Sequence, residues 1–326
     1  MWSQQAFLSA ANAKMGEMFG ASVAIDGNAL IVGAPLENGD ANSTASNYNT
    51  NAGGAGAAYV FTRTDGVWSQ QAYLKASNAG ARDRFGTSVD LDGNTAVVGA
   101  IWERGDANSS AGSPNDKLSN AGAVYVFTRD GNTWGQRAYL KAGNAGHQDE
   151  FGSSVSLDGE TLVVGAAGEH GDAQSTAASP NRKAPNSGAA YVFTRDQGEW
   201  RQQAYLKAYN ALRNHQFGIS VALSGDRLVV GADQEVANAD RSASKRNNNA
   251  ENTGAAYVFT RDGGLWRQHA YLKASNRGKD DQFGISVTID KDTIVVGASQ
   301  EDGDLNSTAK SPNDNAINAG AVYVYQ

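Results

Sequence analysis

The stretch Trp68-Ser-Gln-Gln-Ala-Tyr-Leu-Lys75 decides the fold, because close relatives of it recur along the whole chain. A tryptophan opens each occurrence, 66 residues after the one before, at Trp2, Trp68, Trp134, Trp200 and Trp266. A Phe-Gly pair keeps the same phase, beginning at Phe19, Phe85, Phe151, Phe217 and Phe283. A fixed period without insertions indicates a repeat architecture. We therefore expect one domain over residues 1–326, built from repeats 2–67, 68–133, 134–199, 200–265 and 266–326.

Each repeat carries four strand signals, and the second repeat shows them clearly. Residues 87–91 and 95–100 are rich in β-branched side chains and are separated by Asp92-Gly93, a strong hairpin signal. Residues 123–129 and 134–141 form the third and fourth strands. About 20 residues between the second and third strands are rich in Asn, Ser, Ala and Gly without any regular period, which predicts a long loop.

Four antiparallel strands in every repeat predict an all-β fold, a five-bladed β-propeller of four-stranded antiparallel blades. The chain starts in a fourth strand, residues 2–8, and stops after a third strand, residues 321–326. We therefore expect the N-terminal strand to complete the last blade and close the ring. A linear solenoid would need capping repeats with a polar outer face, and neither end of the chain looks like one.

The landmarks Phe19-Gly20 and Gly33-Ala34-Pro35, with the Trp-x-Gln-x-Ala-Tyr-Leu-Lys-Ala stretch, resemble the FG-GAP repeat in its bacterial form, related to the propeller blades of integrin α-subunits. The resemblance covers the entire chain, although only the first repeat spells Gly-Ala-Pro in full. It implies a propeller that binds proteins or other ligands at the cell surface, outside the cell, without catalytic activity. Integrin calcium loops lie between strands one and two, where this chain has a two-residue turn such as Asp158-Gly159, so those ligands are not carried over.

Composition narrows the classes of partner. The chain has 27 Lys and Arg against 34 Asp and Glu, a net charge of −7, which argues against nucleic acid as a partner. No apolar run approaches the ~18 residues that span a bilayer, and the given N-terminus lacks a signal-peptide pattern. With no cysteine, disulfides and thiolate metal sites are excluded. We expect a monomer that does not insert into membranes.

Oxygen-bearing side chains recur in phase in the long loops and predict bound Ca²⁺. A Glu is followed three residues later by Asp and then by Asn in most repeats. The expected ligands are Glu37, Asp40, Asn42, Glu103, Asp106, Asn108, Glu169, Asp172, Glu301, Asp304 and Asn306. Hard oxygen ligands at short spacing beside a glycine suit calcium. The alternative is that Asp, Asn and Gly build Asx turns in solvated loops.

Further residues extend this prediction. The connections into the first strands add carboxylates that we expect on the same face as the long loops, at Glu17, Asp83, Asp149 and Asp281. In the fourth repeat, His215 and Ala237 break the pattern, so we expect that repeat to have lost its site.

Trp102 is the one tryptophan out of phase, and it lies next to Glu103 in a long loop. We expect it either to act as an exposed ligand-binding anchor or to pack against the next loop. Two interpretations fit the phased tryptophans: stacking against sugars and, the better of the two, packing within the blades. Four arginines lie at the ends of the third strands, at Arg63, Arg129, Arg195 and Arg261. They fit an anion-binding ring or, as the better of the two interpretations, solvated turns.

Signals of catalysis are weak. The four histidines fall at four different phases, so no acid–base pair recurs, and Asp90 is the exception among the mostly small or apolar residues of the first strands. The leading hypothesis is a non-catalytic binding or adhesion propeller, calcium-stabilised, with a protein or glycan ligand. The alternatives are a structural module without a ligand, either a fragment of a larger surface protein or an engineered scaffold, and, more weakly, a lectin.

Overall fold

The computed structural model describes residues 2–110, 112–236, 252–303, 313 and 315–326. All regular elements assigned in these ranges are β-strands. Within the described residues, no helix is long and apolar enough to cross a membrane. The chain divides into two compact units, residues 1–159 with 196–200 and residues 160–195 with 201–326. The single domain expected over the whole chain stays a prediction.

The first unit contains nine strands in chain order. They are β1 (Ser22–Asp26), β2 (Ala29–Ala34), β3 (Ala57–Thr64), β4 (Val67–Leu74), β5 (Phe85–Asp92), β6 (Thr95–Ala100), β7 (Ala123–Asp130), β8 (Thr133–Leu140) and β9 (Phe151–Asp158). Its two complete sheets have the orders β1-β2-β3-β4 and β5-β6-β7-β8. Sequential order within each sheet follows from the short turns predicted between neighbouring strands.

The remaining strands belong wholly or mainly to the second unit. They are β10 (Thr161–Ala166), β11 (Ala189–Asp196), β12 (Glu199–Leu206), β13 (Ser220–Ser224), β14 (Arg227–Ala232), β15 (Ala255–Asp262), β16 (Leu265–Leu272), β17 (Phe283–Asp290), β18 (Thr293–Ala298) and β19 (Ala321–Tyr325). The sheet orders are β12-β11-β10-β9, β13-β14-β15-β16 and β17-β18-β19. Five antiparallel sheets thus follow the five repeats, and the fold is the predicted five-bladed β-propeller.

The second strand of each repeat forms the centre of its sheet. Every residue of β6 is buried, which explains its continuous apolar sequence. In the first unit, β6 contributes Val98 to a core cluster that also contains Ile31, Val60, Phe85 and Phe127. The long loops connect these central strands to the third strands, so their bases lie next to the core.

The Phe-Gly pair joins one repeat to the next. Phe85 is fully buried and meets Tyr125 edge-on, with ring centroids 5.3 Å apart. Gly86 has φ +94°, and a Cβ built there would lie 2.3 Å from the carbonyl oxygen of Ala57. A Cβ on Gly33 would lie 2.0 Å from the oxygen of Gly86. Only glycines allow this approach between backbones of adjacent repeats, which accounts for the phased glycines.

The fifth sheet has three strands, which agrees with a last blade that lacks a fourth strand of its own. The strand predicted over residues 2–8 is not formed, and Trp2 and Phe7 are exposed. Residues 2–8 thus carry no strand assignment, since a segment becomes a strand only when its backbone enters a hydrogen-bonded ladder, whereas a fifth sheet of three strands agrees with a last blade that the N-terminal segment completes. The following loop is placed as in other repeats, since Ala11 N donates to Gln70 Oε1 as Ser77 N does to Gln136 Oε1.

Candidate functional site

A buried glutamate lies at the base of each long loop. The five are between 0% and 3% exposed: Glu37, Glu103, Glu169, Glu235 and Glu301. In the second repeat the carbonyl oxygen of Glu103 accepts a hydrogen bond from Gly122 N at 2.9 Å, where the loop returns to the sheet. The glutamate therefore stands where the two ends of the loop meet.

A lysine from the end of the fourth strand neutralises this glutamate in four repeats. The Nζ–Oε2 distances are 2.6, 2.7, 2.7 and 2.8 Å in the pairs Lys75–Glu37, Lys141–Glu103, Lys207–Glu169 and Lys273–Glu235. Both side chains of each pair are at most 8% exposed. Burial lowers the pKa of Lys75, Lys141 and Lys273, and the attraction of the glutamate opposes this shift.

Neutral donors complete the shell of the glutamate. In the second repeat Tyr139 donates its hydroxyl to Glu103 Oε1 at 2.8 Å, and Gly105 N donates to Oε2 at 2.9 Å. Lys141 Nζ also donates to the carbonyl oxygen of Gly122 at 2.5 Å. The carboxylate is therefore paired and hydrogen-bonded, as a buried charge requires.

The aspartate of the predicted calcium set forms a clasp with an asparagine nine residues later. Asp106 Oδ1 accepts from Asn115 Nδ2 at 3.0 Å, and Asn115 Oδ1 accepts from Asp106 N at 3.1 Å. The same exchange joins Asp40 to Asn49 and Asp172 to Asn181. Side-chain hydrogen bonds lower the pKa of each aspartate: from Asn51 and Asn49 for Asp40, from Asn115 for Asp106 and from Asn181 for Asp172.

The third members of the predicted set take part through their backbones. Asn42, Asn108 and Gln174 each donate a backbone N–H to the aspartate two residues earlier, which is an Asx turn. The side chains of Asn42 and Asn108 are exposed. Asp304 and Asn306 lie outside the described residues.

The carboxylates of the connecting loops are also engaged. Asp83 and Asp149 each accept a hydrogen bond at 2.7 Å from the backbone N–H three residues earlier, and Glu17 accepts one at 2.9 Å. Asp281 accepts the corresponding bond from Gly278 N. Burial raises the pKa of Asp83 to about 7.

These contacts do not fit the predicted calcium set as a single site. Calcium needs several oxygen ligands turned towards one point, whereas here the glutamate faces a lysine and the aspartate faces amide donors. Within the ranges that the structure describes, no group of three or more His, Asp or Glu side chains is placed to hold a metal ion. Calcium binding itself stays a prediction.

Trp102 contacts one residue of its own repeat and one residue of the next repeat. The Arg84 guanidinium lies over the Trp102 ring at 3.9 Å from the centroid, and the Trp102 side chain hydrogen-bonds Glu150. The tryptophan is half-buried. Of the two expectations for this residue, packing against the next loop agrees with these contacts, and a ligand-binding role stays a prediction.

The arginines at the ends of the third strands each hold the turn between strands one and two. In the third and fourth repeats the partner is acidic, Glu160 for Arg195 and Asp226 for Arg261. In the first two repeats the partner is a neutral amide. Arg63 Nη2 donates to Asn28 Oδ1 and Arg129 Nη2 donates to Asn94 Oδ1, both at 2.7 Å.

The neutral partners border a cleft that sequence reasoning did not find. It has a volume of about 450 Å³ and is lined by Arg63, Arg129, Asn28, Asn94, Asn132 and Gln71, together with Asp26 and neighbouring backbone. The guanidiniums also lie over phased tryptophans, Arg63 over Trp68 at 5.4 Å and Arg129 over Trp134 at 5.8 Å. The only signal of this cleft in the sequence is a change of one turn residue, from Asn28 and Asn94 in the first two repeats to Glu160 and Asp226 at the equivalent position of the next two.

Two further aspartates lie outside these networks, Asp90, which is half-buried, and Asp233, which is buried. Asp90 accepts backbone hydrogen bonds from Leu91 N and Leu157 N, and burial raises its pKa to about 6. Asp233 is 3% exposed, and its Oδ1 has no hydrogen-bond partner among the described residues. Burial raises the pKa of Asp233 to about 6 as well. Other repeats have Pro35, Ile101, Ala167 or Ser299 at this position.

Replacing the lysine of one buried pair should strongly destabilise the chain. We expect Lys141→Met to lower the free energy of unfolding by about 3–5 kcal/mol, because Glu103 would stay buried without its cation. The control Lys117→Met removes an ion pair whose lysine is 66% exposed and should cost no more than about 1 kcal/mol. Denaturant unfolding measures both. Equal losses of stability in the two variants would contradict the burial of the Lys141–Glu103 pair. Adding Glu103→Gln to Lys141→Met should restore part of the lost stability.

Removing the Asp233 carboxylate should stabilise the chain. Because the pKa of Asp233 is about 6 when folded and lower when unfolded, the unfolded chain ionises first as the pH rises, so the penalty on the folded state grows between the unfolded pKa and about pH 6. The penalty is complete above that pH and absent below the unfolded pKa. We expect Asp233→Ala to gain roughly 1–3 kcal/mol at pH 8 and less at pH 4. Thermal unfolding across this range measures the gain. Ser299→Ala, at the equivalent position, is the control and should show no such pH dependence.

Comparison with known proteins agrees with the repeat register. Residues 2–61, 68–127, 134–193, 200–259 and 266–325 match the family model described as FG-GAP repeat. A search of curated proteins finds no match. Each matched range begins at a phased tryptophan and includes the buried glutamate and the Phe-Gly joint. The chain therefore belongs to the FG-GAP repeat family.

Proposed function

We propose that this propeller is a non-catalytic binding module whose cleft beside Arg63 and Arg129 takes an anionic group. The observation that supports the proposal is the neutral partner of each arginine. Neither guanidinium has a carboxylate partner among the described residues, whereas Arg195 and Arg261 are ion-paired. The two repeats that border the cleft are thus the two whose described arginines have no ion-paired carboxylate, and Asp26 is the one carboxylate among the residues that line the cleft.

The geometry leaves donors available to a ligand. Arg129 uses Nε and Nη2 on Asn94, and its Nη1 makes no hydrogen bond within the described chain. Arg63 uses the same two nitrogens on Asn28, and its Nη1 makes a long contact of 3.4 Å with Gln5. Guanidinium N–H groups bind carboxylates and sulfates strongly, and the surrounding amides suit a hydroxylated ligand. An acidic glycan fits this chemistry.

A sulfated dextran oligosaccharide is a direct probe of the cleft. We expect Arg63→Gln with Arg129→Gln to weaken its binding about tenfold or more, because two uncompensated cations are lost. Arg195→Gln with Arg261→Gln is the matched control and should leave affinity within about twofold, since those cations are already paired. Calorimetric titration at low salt measures both, with unsulfated dextran as the negative probe. Equal losses in the two double variants would refute the site.

The loop contacts favour the alternative in which Asx turns, rather than calcium, stabilise the long loops. The buried Glu–Lys pairs neutralise the loop bases without a metal. We expect a calcium chelator to leave the melting temperature unchanged in scanning calorimetry. A large fall would instead support calcium, because a ligand at about a hundred times its Kd adds about 2.7 kcal/mol per site.

Two other functions compete with this proposal. A purely structural module predicts that no probe binds. A lectin predicts one neutral-sugar site per repeat, but the rings of Trp68, Trp134 and Trp266 already lie beneath arginines. A location outside the cell and a monomeric state are proposals that rest on the resemblance to surface propellers.

A further inference from the structure

The buried glutamate of the second repeat contacts a side-chain amide as well as an amine. Asn78 Nδ2 donates to Glu103 Oε1 at 3.4 Å, and Lys141 Nζ donates to Glu103 Oε2 at 2.7 Å. The side chains of Glu103 and Lys141 are at most 4% exposed, and Asn78 is half-buried. One carboxylate therefore holds an amine and an amide next to each other, largely screened from water.

The oxygen of the same amide faces a hydrogen-bond donor. The Tyr125 hydroxyl donates to Asn78 Oδ1 at 2.8 Å. This orientation of the amide follows from its neighbours, because a carboxylate only accepts hydrogen bonds and therefore takes the Nδ2 side. Tyr125 is fully buried, and burial raises its pKa, so the hydroxyl keeps its proton. A fixed donor at this oxygen stabilises the negative charge that develops there when a nucleophile attacks Cγ.

Lys141 is the nucleophile in this arrangement. Burial lowers the pKa of Lys141, which favours the neutral amine, and only the neutral amine has a lone pair for attack. Glu103 Oε2 is already bonded to Nζ and is placed to accept its proton. The carbonyl oxygen of Gly122 holds Nζ from another side at 2.5 Å. Nucleophile, base, amide and oxyanion donor thus form one network, which has the groups needed to make an amide bond.

The fourth repeat contains the same network within the second unit. Asn210 Nδ2 donates to Glu235 Oε1 at 2.9 Å, and Lys273 Nζ donates to Glu235 Oε2 at 2.8 Å. The Tyr257 hydroxyl donates to Asn210 Oδ1 at 2.7 Å. Burial lowers the pKa of Lys273 as well. The network is therefore a property of the repeat rather than of one loop.

We propose that Lys141 and Asn78 form an intramolecular isopeptide bond after folding, with Glu103 carrying the protons, and that the fourth repeat forms the equivalent bond. Glu103 first takes a proton from the ammonium, and the lone pair of the amine then forms a bond to Asn78 Cγ. The Tyr125 hydroxyl stabilises the oxyanion at Oδ1. Glu103 gives its proton to Nδ2 and takes a second proton from Nζ. The Cγ–Nδ2 bond breaks, ammonia leaves, and an isopeptide bond and a neutral carboxylic acid remain.

The reaction removes both buried charges and adds a covalent link. The starting site holds an ammonium and a carboxylate, whereas the product holds an amide and a protonated Glu103, so the cost of burying two charges disappears. The link joins residue 78, before β5, to residue 141, directly after β8. It closes a loop around the whole second sheet, and a closed loop lowers the entropy of the unfolded chain. This proposal is independent of the anionic-ligand cleft.

Intact-mass spectrometry of the full chain under denaturing conditions tests the proposal. Each isopeptide bond lowers the mass by one ammonia relative to the sequence, and we expect at least the losses from the second and fourth repeats. Trypsin does not cleave after a lysine whose amine is acylated. Tandem spectra should therefore show a branched peptide in which residues 76–82 are attached to Lys141. A mass equal to that of the sequence, or ammonia losses without branched peptides, would overturn the proposal.

Variants of the second repeat identify the reacting groups. Lys141→Arg keeps a cation beside Glu103, but a guanidinium does not attack amides, so we expect the branched peptide to disappear and the mass deficit to fall by one ammonia. Glu103→Gln leaves both reacting side chains in place and should have the same effect, because the proton carrier is lost. The control Lys117→Arg changes a lysine that is 66% exposed and should leave the mass deficit unchanged. Circular dichroism checks that each variant is folded, and a branched peptide that persists in folded Glu103→Gln would contradict the mechanism.

Discussion

The burial of a glutamate with a lysine, at the base of the long loop in four repeats, is the constraint on which the structure depends. A charge removed from water must find its counter-ion, and the counter-ion lies 38 residues further on, at the end of the fourth strand. The pair therefore ties the loop base to the outer strand of the same sheet. A register shift of that strand would separate the charges, so the pair also specifies strand alignment.

The same carboxylate also holds the connection that precedes its own sheet. Asn210 from the preceding connection donates to Glu235 Oε1 at 2.9 Å and accepts from the hydroxyl of Tyr257 at 2.7 Å. The Phe-Gly joint adds a backbone contact that only glycine permits. These polar and steric requirements recur at set positions of the repeat, which accounts for a repeat period without insertions.

Much of the fold was predictable because its signals are local or periodic. Asp-Gly turns, alternating β-branched residues and five phased tryptophans predict the sheets, and the structure confirms them. Residues 2–8 carry no strand assignment, because the formation of a strand depends on a partner edge as well as on its own sequence. The role of the loop carboxylates was beyond local reasoning, since an acidic residue looks the same whether it faces a metal or a lysine. The phased Lys75 and its equivalents were the available signal, but their proximity to the glutamates emerges only from the fold.

The Asp–Asn clasp gives the long loops an independence that the rest of the repeat lacks. Asp106 and Asn115 exchange two hydrogen bonds, and the described residues between them are 107–110 and 112–114. Ser109 in this stretch is buried and accepts a hydrogen bond from the Tyr139 hydroxyl at 3.1 Å, so it belongs to the contacts of the sheet. Asn108 and Ser110 are exposed, so changes at these positions leave the contacts of the sheet untouched. The repeat thus separates a recurring frame from the exposed positions of a short insert, as antibody domains separate framework from binding loops. Exposed positions in the three described inserts, which follow Asp40, Asp106 and Asp172, would allow recognition to diversify without refolding the protein.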